Sequence, residues 1–318
     1  PRPESIGWHV PAWVFPVIPL TEIVAAYLRA QEVDISSRVA WANGYRVEDY
    51  EASDAEAPDL AGLMDRAESY APVVPMAAGL LTAGVDVQGD RLEIEVVAWG
   101  VGAESWGIDY RQIWGDTSLP AVWGELDSYL LQRFRHESGE ELPIERVFID
   151  SGFRSHHVYR FCHPRLSRGV FCIKGASDAK APEVRGPNKI TMGGLKVRQF
   201  ALGTQKLKSL MFAYFGLATP GAGYCHIPDT YPPAWFSMLT AEHLVTRKIG
   251  GREVSSWELV RGGLRNEAID LRVYALAALM SLRVDIKERV RRLREISADR
   301  KPERKKTFTK SKGVSIDG

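Results

Sequence analysis

The chain has 318 residues, of which 45% are hydrophobic and 25% charged, and its formal net charge is +1 at pH 7. This composition is typical of a globular protein, and the absence of an apolar run of roughly 20 residues excludes a membrane-spanning helix. Three cysteines without a CxxC pair argue against a disulfide framework, and no zinc site is predicted. Because the sequence starts at Pro1 without a Met or an apolar leader, we expect a fragment of a longer cytoplasmic protein.

The charge is distributed unevenly along the chain. Residues 286–318 carry twelve Lys and Arg against five Asp and Glu, a net charge of +7, which leaves −6 for the rest. Attraction to polyphosphate or to an acidic protein surface should therefore concentrate in this C-terminal segment. A terminus that only improves solubility is the alternative interpretation.

The first 75 residues lack the pattern of an independent domain. Residues 1–19 hold five prolines among aromatic residues, which predicts an extended strap that packs on a neighbour. A short amphipathic helix is predicted over TEIVAAYLRAQE, and the acidic EASDAEAPDL predicts a linker. We place a domain boundary near residue 76 and expect one domain over residues 76–285.

From residue 78 onward the pattern predicts a mixed sheet. GLLTAGVDV and LEIEVVAWG are predicted to form a hairpin around Gln88, Gly89 and Asp90, and SWGIDYRQIWG adds a third strand. PAVWGELDSYLLQRF and SHHVYRFCHPRL have helical patterns, whereas RVFIDS and GVFCIKGAS are typical of strands. An antiparallel trio followed by strand-helix-strand crossovers predicts an α/β fold.

Shorter elements follow in the second half. DAKAPEVRGPNKITMGG is predicted to be a loop that could line a substrate groove. A helix is predicted at TQKLKSLMFAYFGL, then a hairpin in LVTRKIGGREVSSWELV and an apolar helix after RNEAID. Apolar residues recur among arginines from Ile286 to Ile296, which predicts a basic amphipathic helix, and the remaining chain is predicted to be disordered.

Three aspartates occupy predicted core elements. Asp86 and Asp150 each end an apolar strand, and Asp270 lies one turn into the apolar helix. Burial would penalise each charge unless a cation, a partner or a proton offset it. The carboxyl ends of central strands are where open α/β sheets place their sites, so we expect the three to meet. Glu267 and Tyr274 share the helix face of Asp270, which makes Glu267 a further candidate ligand.

Such a cluster indicates a particular chemistry. Hard oxygen donors without His or Cys favour Mg²⁺ or Mn²⁺ over zinc, and two such ions commonly catalyse phosphoryl transfer. The alternative for each aspartate is a turn or helix-capping role. No GxxxxGK[ST] motif is present, so ATP hydrolysis by a P-loop is not expected.

The placement of these acids resembles an RNase H-like nuclease fold, with a mixed central sheet flanked by helices. AGVDVQGDRLEIEVVAWG, VFIDSGF, the GT-x-x-x-K of Gly203 to Lys208 and RNEAIDLRVYALAAL resemble the nuclease domain of lambda-type phage terminase large subunits. SIGWHVPAWVF is similar to the segment that links the packaging ATPase of that family to its nuclease. The resemblance implies that the ATPase half precedes residues 1–75.

The resemblance also implies residue roles and partners. It makes Asp86, Asp150 and Asp270 the expected ligands of two Mg²⁺ or Mn²⁺ ions and places Lys208 beside them. The implied activity is cutting of concatemeric double-stranded viral DNA in the host cytoplasm, with the small terminase subunit and the portal protein as partners. The basic tail residues Lys287, Arg291, Arg292 and Arg294 are then expected to contact the portal or DNA.

Two alternatives stay open at this point. One is another nuclease of the same fold, such as a junction resolvase or an integrase-like enzyme. The other is a catalytically silent module that docks on a portal or on DNA through residues 286–318.

Overall fold

The computed structural model describes residues 10–14, 18–33, 41, 45, 60–177, 181–192, 194–249 and 252–300. Most of the predicted strap, the acidic part of the linker and the chain beyond residue 300 lie outside these residues. No helix in the described part of the chain combines the length and apolarity that crossing a membrane requires.

The described strands are β1 Ala78–Val87, β2 Arg91–Gly100, β3 Ser105–Trp114, β4 Arg133–Arg135, β5 Glu141–Asp150, β6 Val170–Gly175, β7 Val184–Met192, β8 Leu195–Leu202, β9 Cys225–His226, β10 Glu242–Ile249 and β11 Arg252–Leu259. Nine of them form one mixed sheet with the order β7-β8-β6-β5-β1-β2-β3-β9, in which β4 pairs with β5. A separate hairpin is formed by β10 and β11.

The first three strands form the predicted antiparallel trio, and β5, β6 and β8 continue the sheet in parallel. This confirms the predicted mixed α/β class. The described α-helices are α1 Leu20–Val33, α2 Leu60–Asp65, α3 Pro120–Leu130, α4 Ser155–Cys162, α5 Thr204–Phe215, α6 Pro233–Leu239, α7 Glu267–Met280 and α8 Ile286–Asp299.

Helices cover both faces of the sheet, because β1 is buried along its whole length. On one face Leu80 packs with apolar residues of α5, α6 and α7. On the other face Leu81 and Val85 pack with residues of α3 and α4. The alternation of side chains along a strand therefore assigns Thr82, Gly84 and Asp86 to the face that α7 covers.

Two features differ from the sequence pattern. The segment predicted to be a loop contains β7, which pairs with β8 at the sheet edge through residues 184–192. Its Gly and Pro content suggested a loop, but an edge strand tolerates such residues at an irregularity, and the β7–β8 register shifts between Arg185 and Asn188. The helices α2 and α8 also pack on the domain, since Leu63, Val290 and Leu293 are buried.

Candidate active site

Two of the predicted acids come from adjacent parallel strands. The pairing of β1 with β5 ends at Val85 and Ile149, so Asp86 and Asp150 each follow by one residue at the same edge of the sheet. Phe148 belongs to the core on the α7 face, and Asp150, two residues later, shares that face. The register therefore brings Asp86 and Asp150 to the same edge and the same face.

The helix α7 packs over the end of the sheet at which Asp86 and Asp150 lie. A Cβ at Gly84 would lie 2.2 Å from the carbonyl oxygen of Leu271, so only glycine lets the helix backbone approach β1 this closely. The Thr82 hydroxyl donates to the carbonyl oxygen of Ala275 at 2.8 Å and fixes the next helical turn. Because Asp270 directly precedes Leu271 in the helix, the close contact between Leu271 and Gly84 also brings Asp270 near Asp86 and Asp150.

The three aspartates lie within electrostatic reach of one another. Burial raises the pKa of Asp86 to about 7, a hydrogen bond from Gln88 at 2.5 Å opposes the rise, and the charges of Asp270, Asp150 and Glu267 add to it. Tyr274 faces the same cluster: burial raises its pKa, and all three aspartates raise it further. The cluster is therefore an acidic pocket in which ionisation is costly.

The other two aspartates have partners that partly offset this cost. Burial raises the pKa of Asp150, while the backbone N–H groups of Gly152 and Ser151 lower it. Burial raises the pKa of Asp270, and Lys208 opposes the rise. The family resemblance implied that Lys208 lies near the site, and the structure brings its Nζ to 2.9 Å from Asp270 Oδ1.

Lys208 bridges Asp270 to an acid that the sequence did not single out. Its Nζ lies 2.7 Å from Oε1 of Glu242, the first residue of β10. Burial would lower the pKa of Lys208, but the Asp270 and Glu242 carboxylates raise it. Asn266 Nδ2 donates to Glu242 Oε1 at 2.6 Å and to Asp270 Oδ2 at 3.1 Å. Only tertiary contact brings Glu242 here, so no local pattern could indicate it.

Glu267, the further candidate ligand, is paired with arginines. Arg91 Nη2 lies 2.8 Å from Glu267 Oε1, and Arg265 Nε lies 3.3 Å from Glu267 Oε2. The same two arginines bind Glu93, which faces Asp86 across the β1–β2 register. Glu267 is therefore bound by two arginines beside the three aspartates. Its negative charge still raises the pKa of Asp86.

A second buried ion pair lies behind the site. Arg272 Nε donates to Glu95 Oε1 at 2.6 Å, and neither side chain is exposed. Tyr231 donates its hydroxyl to the same oxygen at 3.0 Å. Glu93 and Glu95 alternate with apolar residues along β2, a pattern typical of a solvent-facing sheet surface, yet both are fully buried under α7.

The predicted tail residues lie at the far end of β1. A Cβ at Gly79 would lie 3.2 Å from Arg289 Cβ, so α8 packs where β1 begins, whereas Asp86 lies where it ends. Lys287, Arg291 and Arg294 line a groove of about 590 Å³. Arg292 instead binds Glu288 on its own helix at 2.7 Å. The structure therefore separates the basic helix from the acidic cluster.

Among the described residues, no group of three or more His, Cys, Asp or Glu side chains has the arrangement of a formed metal site. Asp86 and Asp150 are adjacent in strand register, and the charges of Asp150 and Asp270 act on Asp86, but the three carboxylates are not drawn together around one point.

Comparison with known proteins identifies the family. Residues 5–291 match the family described as the endonuclease domain of the terminase large subunit gpA. The chain is 31% identical over 285 residues to the terminase large subunit of Escherichia phage lambda, and 30% identical over 292 residues to that of Enterobacteria phage P21. These matches cover 87% and 88% of the chain, and the chain spans 44% of each relative. The chain therefore belongs to the terminase large subunit endonuclease domain family.

Proposed function

We propose that this chain hydrolyses DNA phosphodiesters as a Mg²⁺- or Mn²⁺-dependent endonuclease at Asp86, Asp150 and Asp270. The observation that carries the proposal is that β1, β5 and α7 each bring one of these acids to the same end of the sheet, where the charges of Asp150 and Asp270 act on Asp86. Family membership supplies the reaction class, because the family is an endonuclease domain.

The residues fit a hard divalent cation in donor chemistry and in charge. The cluster offers carboxylate oxygens and no thiolate, the donor set that Mg²⁺ and Mn²⁺ prefer. Burial together with mutual repulsion raises the pKa of Asp86 to about 7, so a bound cation would offset a cost that is present without it. One oxygen of Glu242 is buried without a hydrogen-bond partner, which leaves further acceptor capacity beside Asp270.

In this proposal Asp86 and Asp150 would hold the ions from the sheet side, and Asp270 would hold them from the helix side. Two bound ions would supply an activated water and stabilise the leaving oxygen. The packing of α7 on Gly84 and Thr82 fixes the height of Asp270 over the strands. Lys208 supplies a positive charge beside Asp270.

The test is plasmid cleavage by the full chain with Mg²⁺, Mn²⁺ or a chelator. We expect Asp86→Asn, Asp150→Asn and Asp270→Asn each to lower the rate at least about a hundredfold, because each removes a charged ligand. The control is Asp90→Asn, in the exposed turn after β1, which should cut normally. Cutting that persists in all three variants, or in chelator, would contradict the proposal.

The biological role is proposed from the relatives. Both are terminase large subunits, so we propose that the whole protein cuts concatemeric double-stranded DNA in the host cytoplasm, with the small terminase subunit and the portal protein as partners. A resolvase or integrase-like activity predicts a preference for branched or pre-nicked DNA. A preference for intact duplex supports the terminase role.

We propose that α8 is a docking surface for the portal or DNA, separate from the catalytic edge. Lys287, Arg291 and Arg294 line its groove, and Arg291 and Arg292 are partly neutralised by Glu288. Lys287→Glu with Arg294→Glu should weaken DNA binding and flatten its salt dependence if DNA is the partner. An unchanged salt dependence would point to the portal. If these substitutions abolish all binding and the wild-type chain does not cut DNA, the chain is a docking module without catalytic activity.

A further inference from the structure

The Lys208 side chain is held between two carboxylates on different elements. Its Nζ lies 2.7 Å from Glu242 Oε1 and 2.9 Å from Asp270 Oδ1, and Lys208 is only 8% exposed. An ammonium group has three hydrogens to donate, and these two contacts use two of them. Lys208 therefore already supplies Asp270 with a positive charge, which a divalent cation bound to Asp270 would otherwise supply.

Glu242 has capacity to bind the ammonium more fully. Glu242 is only 3% exposed, and its Oε2 is buried without a hydrogen-bond partner. An unpaired buried carboxylate oxygen costs free energy, so a donor that moved toward it would be stabilised. The third hydrogen of Lys208 is such a donor, and a small shift away from Asp270 would bring it to Glu242.

The surrounding contacts hold the two carboxylates in place on either side of the Lys208 ammonium. Asn266 Nδ2 contacts both Glu242 and Asp270, which sets their spacing. The backbone N–H of Trp257, in β11, donates to Gln205 at 2.6 Å, and its Nε1 donates to Ser209 at 2.9 Å. These bonds tie the hairpin that carries Glu242 to α5, which carries Lys208.

We propose that Lys208 and Glu242 form a cation-exchange pair. Lys208 neutralises Asp270 while no divalent ion is bound, and Glu242 takes over the ammonium when an ion binds to Asp270. This inference rests on the proposed metal-dependent function and assigns a role to Glu242, a positioning residue that acts through Lys208. The exchange moves one ammonium between two carboxylates, so no proton leaves and no covalent bond changes.

The exchange predicts opposite effects of two substitutions on Mn²⁺ affinity, measured by calorimetry on the full chain without DNA. Lys208→Met removes the competing cation, so affinity should rise. Glu242→Gln keeps an amide oxygen but removes the carboxylate charge that would hold the ammonium, which leaves Lys208 on Asp270, so affinity should fall. We expect each change to be about fivefold or more, as is common for coupled sites. Glu258→Gln, in an exposed ion pair of the same hairpin, is the matched control and should change nothing.

The double variant separates exchange from a simple field effect. If Glu242 acts through Lys208, Glu242→Gln has little effect in the Lys208→Met background, because no ammonium is left to accept. If Glu242 acts only by its negative charge, the substitution lowers affinity equally in both backgrounds, which would overturn the proposal. Affinity that falls in Lys208→Met would also overturn it.

A second measurement covers the case in which Lys208→Met does not fold. The ¹⁵Nζ resonance of Lys208, assigned from Lys208→Arg, should shift when Mg²⁺ is added to the wild-type chain, and it should not shift in Asp86→Asn. If the Lys208 ¹⁵Nζ resonance does not shift although calorimetry shows that Mg²⁺ binds, the proposed exchange is wrong. If the wild-type chain binds no Mn²⁺ at all, the proposed function fails as well, which distinguishes the two failures.

Discussion

The carbonyl oxygen of Leu271 lies directly over Gly84, 2.2 Å from where a Cβ at residue 84 would stand. Gly84 precedes Asp86 by two residues on the same face of β1, and Leu271 directly follows Asp270. One close backbone contact therefore sets the distance between a strand acid and a helix acid.

Gly84→Ala should weaken both the fold and the site. The added methyl group must push α7 away from β1, and overpacking of this kind costs about 1–3 kcal/mol. We expect a lower free energy of unfolding in urea and, under the proposed function, a larger loss of cleavage than stability alone explains. Gly124→Ala is the control, because a Cβ there meets nothing within 4 Å. Equal behaviour of the two variants would argue against the spacing role.

Arg272→Met should be strongly destabilising. It leaves the fully buried Glu95 without its cation, and breaking a buried pair in this way costs about 3–5 kcal/mol. The comparison is Arg289→Met, which breaks a partly exposed pair with Glu145 and should cost less than about 1 kcal/mol. Adding Glu95→Gln to Arg272→Met should recover part of the loss in urea unfolding. No recovery would mean that packing rather than charge dominates.

Asp86→Asn should stabilise the metal-free protein, and more so at higher pH. The unfolded carboxyl ionises near its ordinary pKa of 3.8, whereas burial raises the folded pKa to about 7. Between these values the folded state binds more protons, so the stability of the wild-type protein falls as pH rises. In chelator, the advantage of Asp86→Asn should therefore be small near pH 4 and level off above pH 7.

Asp116→Asn is the control with the opposite sign. The backbone N–H of Ser118 lowers the pKa of Asp116, so this carboxylate stabilises the fold above its ordinary pKa and loses that contribution as pH falls. Urea unfolding at a series of pH values measures both variants. An Asp86→Asn advantage that does not grow with pH would show that Asp86 ionises without cost.

Thr82→Val should destabilise the contact between β1 and α7. The Thr82 hydroxyl donates to Ala275 and accepts from Trp99 Nε1 at 2.7 Å, so valine leaves both buried groups without this partner. Such a loss costs about 1–3 kcal/mol. Thr82→Ser keeps the hydroxyl and should retain most of the stability. If valine is no more destabilising than serine in thermal unfolding, the two hydrogen bonds of the Thr82 hydroxyl do not stabilise this contact.

The sequence predicted those parts of the fold whose signals are local. The period of two along β1 placed Asp86 on the face of Leu80 and Thr82, and the core confirms this face for Leu80. The hairpin around Gly89 and the apolar helix of Asp270 were predictable for the same reason. Whether the three aspartates bind metal stays a prediction.

The parts that the sequence did not indicate depend on contacts between distant segments. Glu242 begins a hairpin, and only its packing beside α5 brings it to Lys208. Glu95 lies in a strand whose polar and apolar residues alternate, a pattern typical of an exposed face. Its burial depends on Arg272, which a distant helix, α7, places beside it. The strand β7 was hidden by its Gly and Pro content, because a sheet edge tolerates what a central strand does not.

The acids of the candidate site are contributed by an early strand, a middle strand and a helix near the end of the described chain. During synthesis the ribosome releases Asp86 and Asp150 well before Asp270, and the pocket is completed only when α7 docks on Gly84. Under the proposed function, an unfinished polypeptide cannot cut DNA. Chain order thus delays the hazardous chemistry until the whole domain has folded.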